Sequence, residues 1–239
     1  MQENGSLSRA LNGEYDFTIK EVLSEAWKLT DGAKLKVNIA ILIYTIIAVV
    51  LSVILSFIFD SKMYYESGQL LKGILSDQAQ SLLSLPILAP LMTGIVMLSI
   101  KRASHKTMAV LSIFDYYIYV WPLVFASVLI NMIVTFGFLM LIIPGIYLSI
   151  TFVFTIPIMI DKQLGIIDAM KTSFRVVSKR WFKFFGIYIL LGFFSLLCIF
   201  TLGIGLIWIL PFSFITNAVL YRRIFGYSNL ERVEDDISF

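Results

Sequence analysis

Charge is scarce in this sequence, and that scarcity excludes a water-soluble fold. Charged residues make up 15% of the 239 residues and hydrophobic residues 59%, whereas soluble domains are about 25% charged and about 45–50% apolar. The charges are also unevenly spread, because none lies between Lys36 and Asp60 or between Lys183 and Arg222. A soluble domain of this size could not cover so much apolar surface, so we predict an integral membrane protein.

The residue types that most often build catalytic and metal sites are scarce as well. The chain has one cysteine, Cys198, and one histidine, His105, so an intrachain disulfide is excluded and a zinc site lacks partners at ligand spacing. The sequence contains no Gly-x-Ser-x-Gly, His-Glu-x-x-His or phosphate-loop motif. We therefore predict no catalytic, cofactor-binding or metal site. The net charge of +3 gives no reason to expect a nucleic-acid partner.

Long uncharged runs predict an all-α polytopic fold with six transmembrane helices. The predicted spans are residues 37–59, 82–100, 120–141, 143–160, 184–200 and 204–221. A single helix over 120–160 would be about 60 Å long, twice the hydrocarbon core of roughly 30 Å, so this run must fold back as a hairpin. The predicted turns are Pro144 and Gly145 in the first hairpin, and Gly203 and Gly205 in the second. Each leg is near the shortest length that spans a bilayer, so re-entrant hairpins are the alternative.

All six prolines lie within the predicted spans, and four of them bear on the shape of the helices. Pro86 and Pro90 are one turn apart and predict that the second helix kinks or begins late. Together with Pro157 and Pro211 they could mark the broken helices of a transporter. Prolines are also common in membrane helices that have no such role, and we favour that interpretation.

The distribution of basic residues predicts the orientation. Of the 19 Lys and Arg residues, only Lys62 and Lys72 fall on one side of the predicted bundle, in the segment between Asp60 and Gln80 that we interpret as an external loop. All the others fall on the opposite side. By the positive-inside rule, residues 1–36 and the acidic tail 222–239 are predicted to be cytoplasmic.

Residues 19–36 and 166–183 form an internal repeat. They align without gaps at acidic, aromatic and basic positions, which pair as Glu21 with Asp168, Trp27 with Phe174, Lys28 with Arg175, and Lys36 with Lys183. Both segments have the periodicity of an amphipathic helix, and Thr18 with Glu21 matches a capping box. Residues 108–119, with Asp115 at the acidic position, are a weaker third copy. The predicted architecture is three units, each an interfacial helix followed by a helix pair.

The helix predicted over residues 166–183 is the most basic segment of the chain. Its cations are Lys171, Arg175, Lys179, Arg180 and Lys183. On a helical wheel they lie opposite an apolar face, made of Ile167, Met170, Phe174, Val177 and Trp181. This pattern predicts a helix on the membrane surface that binds anionic lipid headgroups. The alternative interpretation is that these charges only retain the loop in the cytoplasm.

Several short motifs carry a resemblance to a known family. They are Pro144-Gly145-Ile146, Ile156-Pro157-Ile158-Met159, Asp161-Lys162, Gly165-Ile166 and the run from Ala169 to Arg175. The sequence resembles the YciC-like family of uncharacterised bacterial inner-membrane proteins, most clearly over residues 139–192. It is more distantly similar to the membrane domain attached to some glycerophosphodiester phosphodiesterases, whose chemistry belongs to a separate soluble domain. The resemblance implies a six-span inner-membrane protein and no catalytic residues.

The function expected from these features is non-enzymatic. We expect a helper or scaffold in envelope or lipid homeostasis, with membrane lipids and a protein as partners. The alternative is a transporter or channel for a small or amphiphilic molecule. The absence of charge within the predicted spans disfavours ion coupling, and Asn131 and Asn217 are expected to bond neighbouring helices. An integral-membrane enzyme is the third class.

The predicted topology is tested with reporter fusions. A periplasmic reporter inserted between Asp60 and Gln80 should be active, because that segment carries only Lys62 and Lys72. The same reporter fused after Arg223 should be silent, because six spans return the chain to the cytoplasm. An active reporter after Arg223 would require an odd number of spans and contradict the predicted topology.

Overall fold

The computed structural model describes residues 5–59, 61–200 and 203–228, and in these ranges the chain is all-α. The described residues form eleven α-helices and one 3-10 helix, Val110–Tyr119. The α-helices are α1 (Leu7–Asn12), α2 (Ile19–Asp31), α3 (Lys34–Ile58), α4 (Ser61–Glu66), α5 (Leu70–Ala103), α6 (Val120–Met140), α7 (Ile142–Thr151), α8 (Thr155–Asp161), α9 (Ile166–Lys179), α10 (Trp181–Phe200) and α11 (Leu206–Phe225). Most of the predicted acidic tail lies outside the described residues.

Five helical segments are long and apolar enough to cross a bilayer, so the chain is a polytopic membrane protein. They are Lys34–Ile58, Leu70–Ala103, Val110–Met140, Ile142–Asp161 and Trp181–Cys198. The sixth predicted span corresponds to α11, a helix of 20 residues that carries Arg222 and Arg223 in its last turn. These two charges lower the apolar character of α11, and the count of six spans stays a prediction.

The second span begins earlier than its prolines predicted. Helix α5 starts at Leu70 and contains both Pro86 and Pro90, so the predicted late start is wrong. Residues 60–80, predicted as a loop, instead contain α4 and the first turns of α5. A helix within a membrane is tolerant of proline, because the alternative is unpaired backbone in an environment that offers no hydrogen bonds.

In the first predicted hairpin the chain reverses direction at Leu141, before Pro144 and Gly145. Helix α6 ends at Met140, and Leu141 alone has extended geometry, with φ −165° and ψ 155°. Pro144 and Gly145 lie in the first turn of α7. Backbone N–H groups in the first turn have no acceptor within the helix, so proline, which lacks an N–H, fits there without loss of a hydrogen bond. A Cβ on Gly145 would overlap the ring of Phe138 on α6. Gly145 therefore serves the close contact between two helices, and the prediction that it forms the turn is wrong.

The second predicted hairpin has its turn at the predicted glycines. Gly203 has φ +84°, a left-handed conformation that favours glycine, and Gly205 precedes the first residue of α11. Thr201 and Leu202, which lie between the end of α10 and Gly203, are outside the described residues.

The fourth span is a broken helix. Helix α7 ends at Thr151 and α8 begins at Thr155, with three residues in a turn between them. Pro157 lies in the first turn of α8. Pro157 has no N–H to bond the carbonyl of Val153 four residues before it, and its ring clashes with that carbonyl, which accounts for the break at this place.

The helices form an inner and an outer set. About half of the residues in the apolar windows of α5 and of the α7–α8 segment are buried, 56% and 50% respectively, against 6% in α3, 17% in the segment ending with α6 and 22% in α10. Helix α11 is also mostly buried. The inner helices are therefore the second member of each predicted pair, and the outer helices present apolar side chains to lipid.

Contacts between the helices follow a cyclic, threefold pattern. Each outer helix lies between the inner helix of its own unit and that of the preceding unit, so that α3 contacts α5 and α11, α6 contacts α7 and α5, and α10 contacts α11 and α7. Each amphipathic helix packs on the inner helix of the preceding unit, so that α2 contacts α11, the 3-10 helix contacts α5, and α9 contacts α7 and α8. The chain thus closes into a ring of three units.

The two copies of the repeat that align best, α2 and α9, are buried at the same positions. The buried positions of α2 coincide with buried positions of α9 in the ungapped alignment, pairing Val22 with Ala169, Ala26 with Ser173, and Thr30 with Val177. The middle copy differs, because its 3-10 helix continues directly into α6 without a break. It packs so closely on α5 that a Cβ on Gly94 would lie 2.5 Å from the Cα of Ile113.

Buried charges close the ring at one end of the bundle. Arg222 is 5% exposed, forms an ion pair with Glu25 of α2 and donates a hydrogen bond of 2.5 Å to the carbonyl of Ala103. Arg223 pairs with the other oxygen of Glu25 at 2.5 Å and with Glu21 at 3.5 Å. One carboxylate therefore joins the first unit to the last.

Glu25 and Glu21, one turn apart on α2, provide a matched pair of variants. Glu25→Ala should cost about 3–5 kcal/mol, because it leaves Arg222 buried without its carboxylate. Glu21→Ala should cost about 0–1 kcal/mol, because that side chain is largely exposed. The measurement is thermal unfolding of the purified protein in detergent, and equal losses for the two variants would contradict the closing role of Glu25.

Candidate functional site

The structure separates the five predicted lipid-binding cations into two groups. Lys171 and Arg175 are exposed on α9, and among the described residues neither forms an ion pair. The other three lie near the N-terminal segment. Lys179 donates to the carbonyl of Leu11 at 2.5 Å, Lys183 is bonded to Asp16 and to the carbonyl of Phe17, and Arg180 caps the end of α9.

The apolar face predicted for α9 is wrong in part. Met170 and Val177 are buried, but Ile167 and Phe174 are exposed, at 52% and 37%. The buried face instead includes Ser173, whose hydroxyl donates to the carbonyl of Thr151 at 2.7 Å. Because α9 buries this face against α7 and α8, its cations lie beside exposed apolar side chains and not opposite them.

A groove between α9 and α6 combines these cations with apolar walls. It has a volume of about 740 Å³. Its lining residues are Leu129, Ile133, Phe152, Ile167, Met170, Lys171, Phe174, Arg175, Ser178 and Lys179. We call it the basic groove. No carboxylate of the described residues lines it, so an anionic group beside Lys171 and Arg175 would meet two positive charges and no negative one.

A second cavity lies among the inner helices, and the sequence did not predict it. Its volume is about 540 Å³, and the α-helices that line it are α3, α5, α6, α8 and α11, together with the turn between α7 and α8. The polar side chains in its wall are Tyr44, Ser81, Ser84, Thr93, Ser127, Asn131, Asn217 and Tyr221. We call it the interior cavity. Within the described ranges, no side chain that lines it is an acid or a base that carries charge at neutral pH.

The two asparagines predicted to bond neighbouring helices behave differently. Asn217 accepts a hydrogen bond of 2.5 Å from the Tyr188 hydroxyl of α10, which confirms that prediction. Asn131 donates to the carbonyl of Ser127 in its own helix at 2.8 Å, and its side chain lines the interior cavity. For Asn131 the prediction is wrong.

Asp161 is a buried carboxylate next to one end of the interior cavity. It is 1% exposed and accepts hydrogen bonds from the hydroxyl of Tyr221 at 2.7 Å and the N–H of Ser228 at 3.0 Å. Lys162 lies 2.9 Å from the same carboxylate. The bonds from Tyr221 and Ser228 hold α11 and the residues after it to the end of α8. Among the described residues, no group of three or more His, Cys, Asp or Glu side chains is placed to hold a metal ion.

Two titratable residues, Tyr15 and Asp16, hold the N-terminal segment to α9 and to the start of α10. The hydroxyl of Tyr15 donates to the carbonyl of Val176 at 2.5 Å, and burial raises the pKa of Tyr15 to about 12, so this donor stays protonated at neutral pH. The hydrogen bond from Lys183 lowers the pKa of Asp16. The Lys183 contact is therefore complete at neutral pH and is lost as the pH falls through the lowered pKa, below the ordinary aspartate value of about 3.9.

Lys183→Gln tests whether Lys183 holds the N-terminal segment in place, and Lys171→Gln is the matched control at an exposed lysine of α9. Lys183→Gln should raise amide hydrogen exchange of residues 5–17 at neutral pH, because it removes the charge that holds Asp16. In the unmodified chain the same rise should appear only at acid pH. Lys171→Gln should leave this exchange unchanged, and a rise of similar size in both variants would contradict the assignment of Lys183 to the N-terminal segment.

Comparison with known proteins assigns no function to the basic groove or the interior cavity. No family model, curated protein or solved structure matches the chain. The resemblance of residues 139–192 to the YciC-like family therefore stays a prediction. The function of the chain is accordingly inferred from the basic groove and the interior cavity.

Proposed function

We propose that the chain is a non-enzymatic helper or scaffold in lipid or envelope homeostasis at a bacterial inner membrane. Its termini would lie in the cytoplasm, and its basic groove would bind anionic phospholipid of the inner leaflet. The basic groove is the observation that carries the proposal. It combines three exposed cations, Lys171, Arg175 and Lys179, with apolar walls from α6 and α9, as a molecule with a phosphate and acyl chains requires.

The charges at the groove support binding of a headgroup. Lys171 and Arg175 are one turn apart, and Phe174 lies between them on the same exposed side of α9. Each cation near an anionic leaflet contributes on the order of 1 kcal/mol. Lys179 also lines the groove but donates to Leu11, so we assign the larger part of the attraction to Lys171 and Arg175.

The meeting of the basic segments at one end of the bundle supports the proposed orientation. Arg222 bonds the carbonyl of Ala103 next to the basic loop, and Lys162 donates to the carbonyl of Gly226 at 3.0 Å. Lys183 contacts the N-terminal segment. Segments that the positive-inside rule assigns to one compartment are thus neighbours in the fold.

The test is binding of the full chain to lipid. The protein in detergent would be titrated with phosphatidylglycerol and with phosphatidylcholine, at low and high salt. Lys171→Gln/Arg175→Gln should lower affinity for phosphatidylglycerol by about tenfold, corresponding to about 1.4 kcal/mol, and binding should weaken with salt. The control is Lys20→Gln/Lys28→Gln, which removes two exposed charges from α2. Equal losses in both double variants, or equal binding of the two lipids, would contradict the proposal.

A transporter of a small or amphiphilic molecule is the second candidate function. Two observations favour it: the interior cavity and the broken α7–α8 helix, whose residues Val153, Phe154 and Pro157 line that cavity. Broken helices that meet a binding site in the middle of a bundle are typical of secondary transporters. Flux of a labelled amphiphile across the bilayer of proteoliposomes would support this candidate over a helper.

A further inference from the structure

We propose that the interior cavity is a binding site for an uncharged amphiphile with a hydroxyl headgroup, which enters from the membrane. This inference goes beyond the basic groove and its anionic lipid. It requires binding and not transport, so it stands whether or not the chain moves its ligand across the bilayer.

The wall of the interior cavity excludes a charged headgroup. None of the described side chains that line it carries a charge at neutral pH, so an ionised group inside it would have no counter-charge. The carboxylate of Asp161, which accepts from the lining residue Tyr221, also accepts from Ser228 and pairs with Lys162. A phosphate at this end would face that carboxylate, and an isolated charge in an apolar bundle costs far more than a hydroxyl that is hydrogen-bonded.

The polar side chains favour a ligand that donates a hydrogen bond. Ser84 donates its hydroxyl proton to the carbonyl of Ser81 at 2.7 Å, which leaves its oxygen as an acceptor. Asn131 donates through Nδ2 to Ser127, which leaves its amide oxygen as an acceptor. The amide oxygen is the stronger acceptor of the two, so a hydroxyl headgroup donates to Asn131. Most of the remaining wall is apolar, including Leu85, Leu88 and Met92, and suits an acyl chain.

The interior cavity adjoins a groove on the lipid-facing surface. A second groove of about 910 Å³ between α5 and α6 shares Ser81, Leu85 and Asn131 with the cavity. Its other lining residues include Met132 and Phe136, which are 65% and 61% exposed. A ligand that crosses this groove meets apolar side chains first and the polar wall afterwards, so an amphiphile from the membrane fits better than a solute from water. The cavity volume of about 540 Å³ is within the range of ligand pockets, about 300–1,000 Å³.

The experiment measures displacement of a fluorescent diacylglycerol from the purified full chain in neutral detergent. The competitors are dioctanoylglycerol, phosphatidic acid with the same chains, and glycerol. Dioctanoylglycerol should displace the probe saturably, phosphatidic acid should be weaker by at least about tenfold because of its charge, and glycerol should not compete. Equal displacement by phosphatidic acid, or displacement by glycerol, would overturn the inference.

Two variants and a control locate the bound probe. Ser84→Phe fills the cavity and should abolish saturable binding. Asn131→Leu keeps a similar volume, removes one acceptor, and should weaken binding by about five- to tenfold. The control is Thr45→Val, which removes a hydroxyl that bonds the carbonyl of Ile41 in its own helix and does not line the cavity. Unchanged affinity in Asn131→Leu would overturn the inference even if Ser84→Phe fails to fold. Equal losses in Asn131→Leu and Thr45→Val would also overturn it.

Because the proposed function is measured with phosphatidylglycerol and the Lys171→Gln/Arg175→Gln variant, the two tests fail independently. Loss of anionic-lipid binding in that variant says nothing about the diacylglycerol probe.

Discussion

The ion pair between Arg222 and Glu25 is the contact that the ring of three units depends on. It joins residues 197 positions apart, at the two ends of the described chain. Burying either charge alone would cost several kcal/mol, and mutual attraction repays that cost only when the remaining donors are satisfied. Here Ala103 accepts from Arg222, and Arg223 binds the second oxygen of Glu25. The Glu25 carboxylate therefore fixes α2 on α11, and the Arg222 guanidinium fixes α11 on the end of α5.

The rest of the bundle is held by contacts suited to lipid. Apolar helices gain no hydrophobic free energy from each other in a bilayer, so their association depends on close packing and on hydrogen bonds between helices. Gly94 against Ile113 and Gly145 against Phe138 provide the close packing. Asn38 donates to the carbonyl of Ile207 at 2.9 Å, which attaches the outer helix α3 to α11. These contacts explain how outer helices with few buried residues keep fixed positions.

The sequence predicted the elements of the fold better than their ends. Long apolar runs identified the transmembrane helices because the bilayer requires a minimum apolar length, and the ungapped repeat identified α2 and α9 as equivalent. The repeat did not show that the units form a closed ring, because closure depends on contacts between distant residues such as Glu25 and Arg222. The turn at Leu141 was missed because a single extended residue has no signature in composition, whereas Pro144 and Gly145 do.

The sites were harder to predict than the fold. A helical wheel groups the five cations of residues 166–183 apart from the apolar residues, but it does not show which side the neighbouring helices cover. Helix α9 is covered by α7 and α8, so the exposed side is a mixture of basic and apolar residues. The interior cavity had no sequence signal beyond scattered Ser and Asn residues, which occur in membrane helices for other reasons.

The break between α7 and α8 lies between the two sites and contributes to both. Phe152 lines the basic groove, and the adjacent Val153 and Phe154 line the interior cavity. Irregular backbone at membrane depth is tolerated where protein buries it or where it lines a cavity, and both conditions are met here. Across the break the N–H of Val153 bonds the carbonyl of Ile150 at 3.4 Å, a long bond with three-residue spacing in place of the α-helical spacing of four. A shift of this backbone would therefore move one wall of the basic groove and one wall of the interior cavity together.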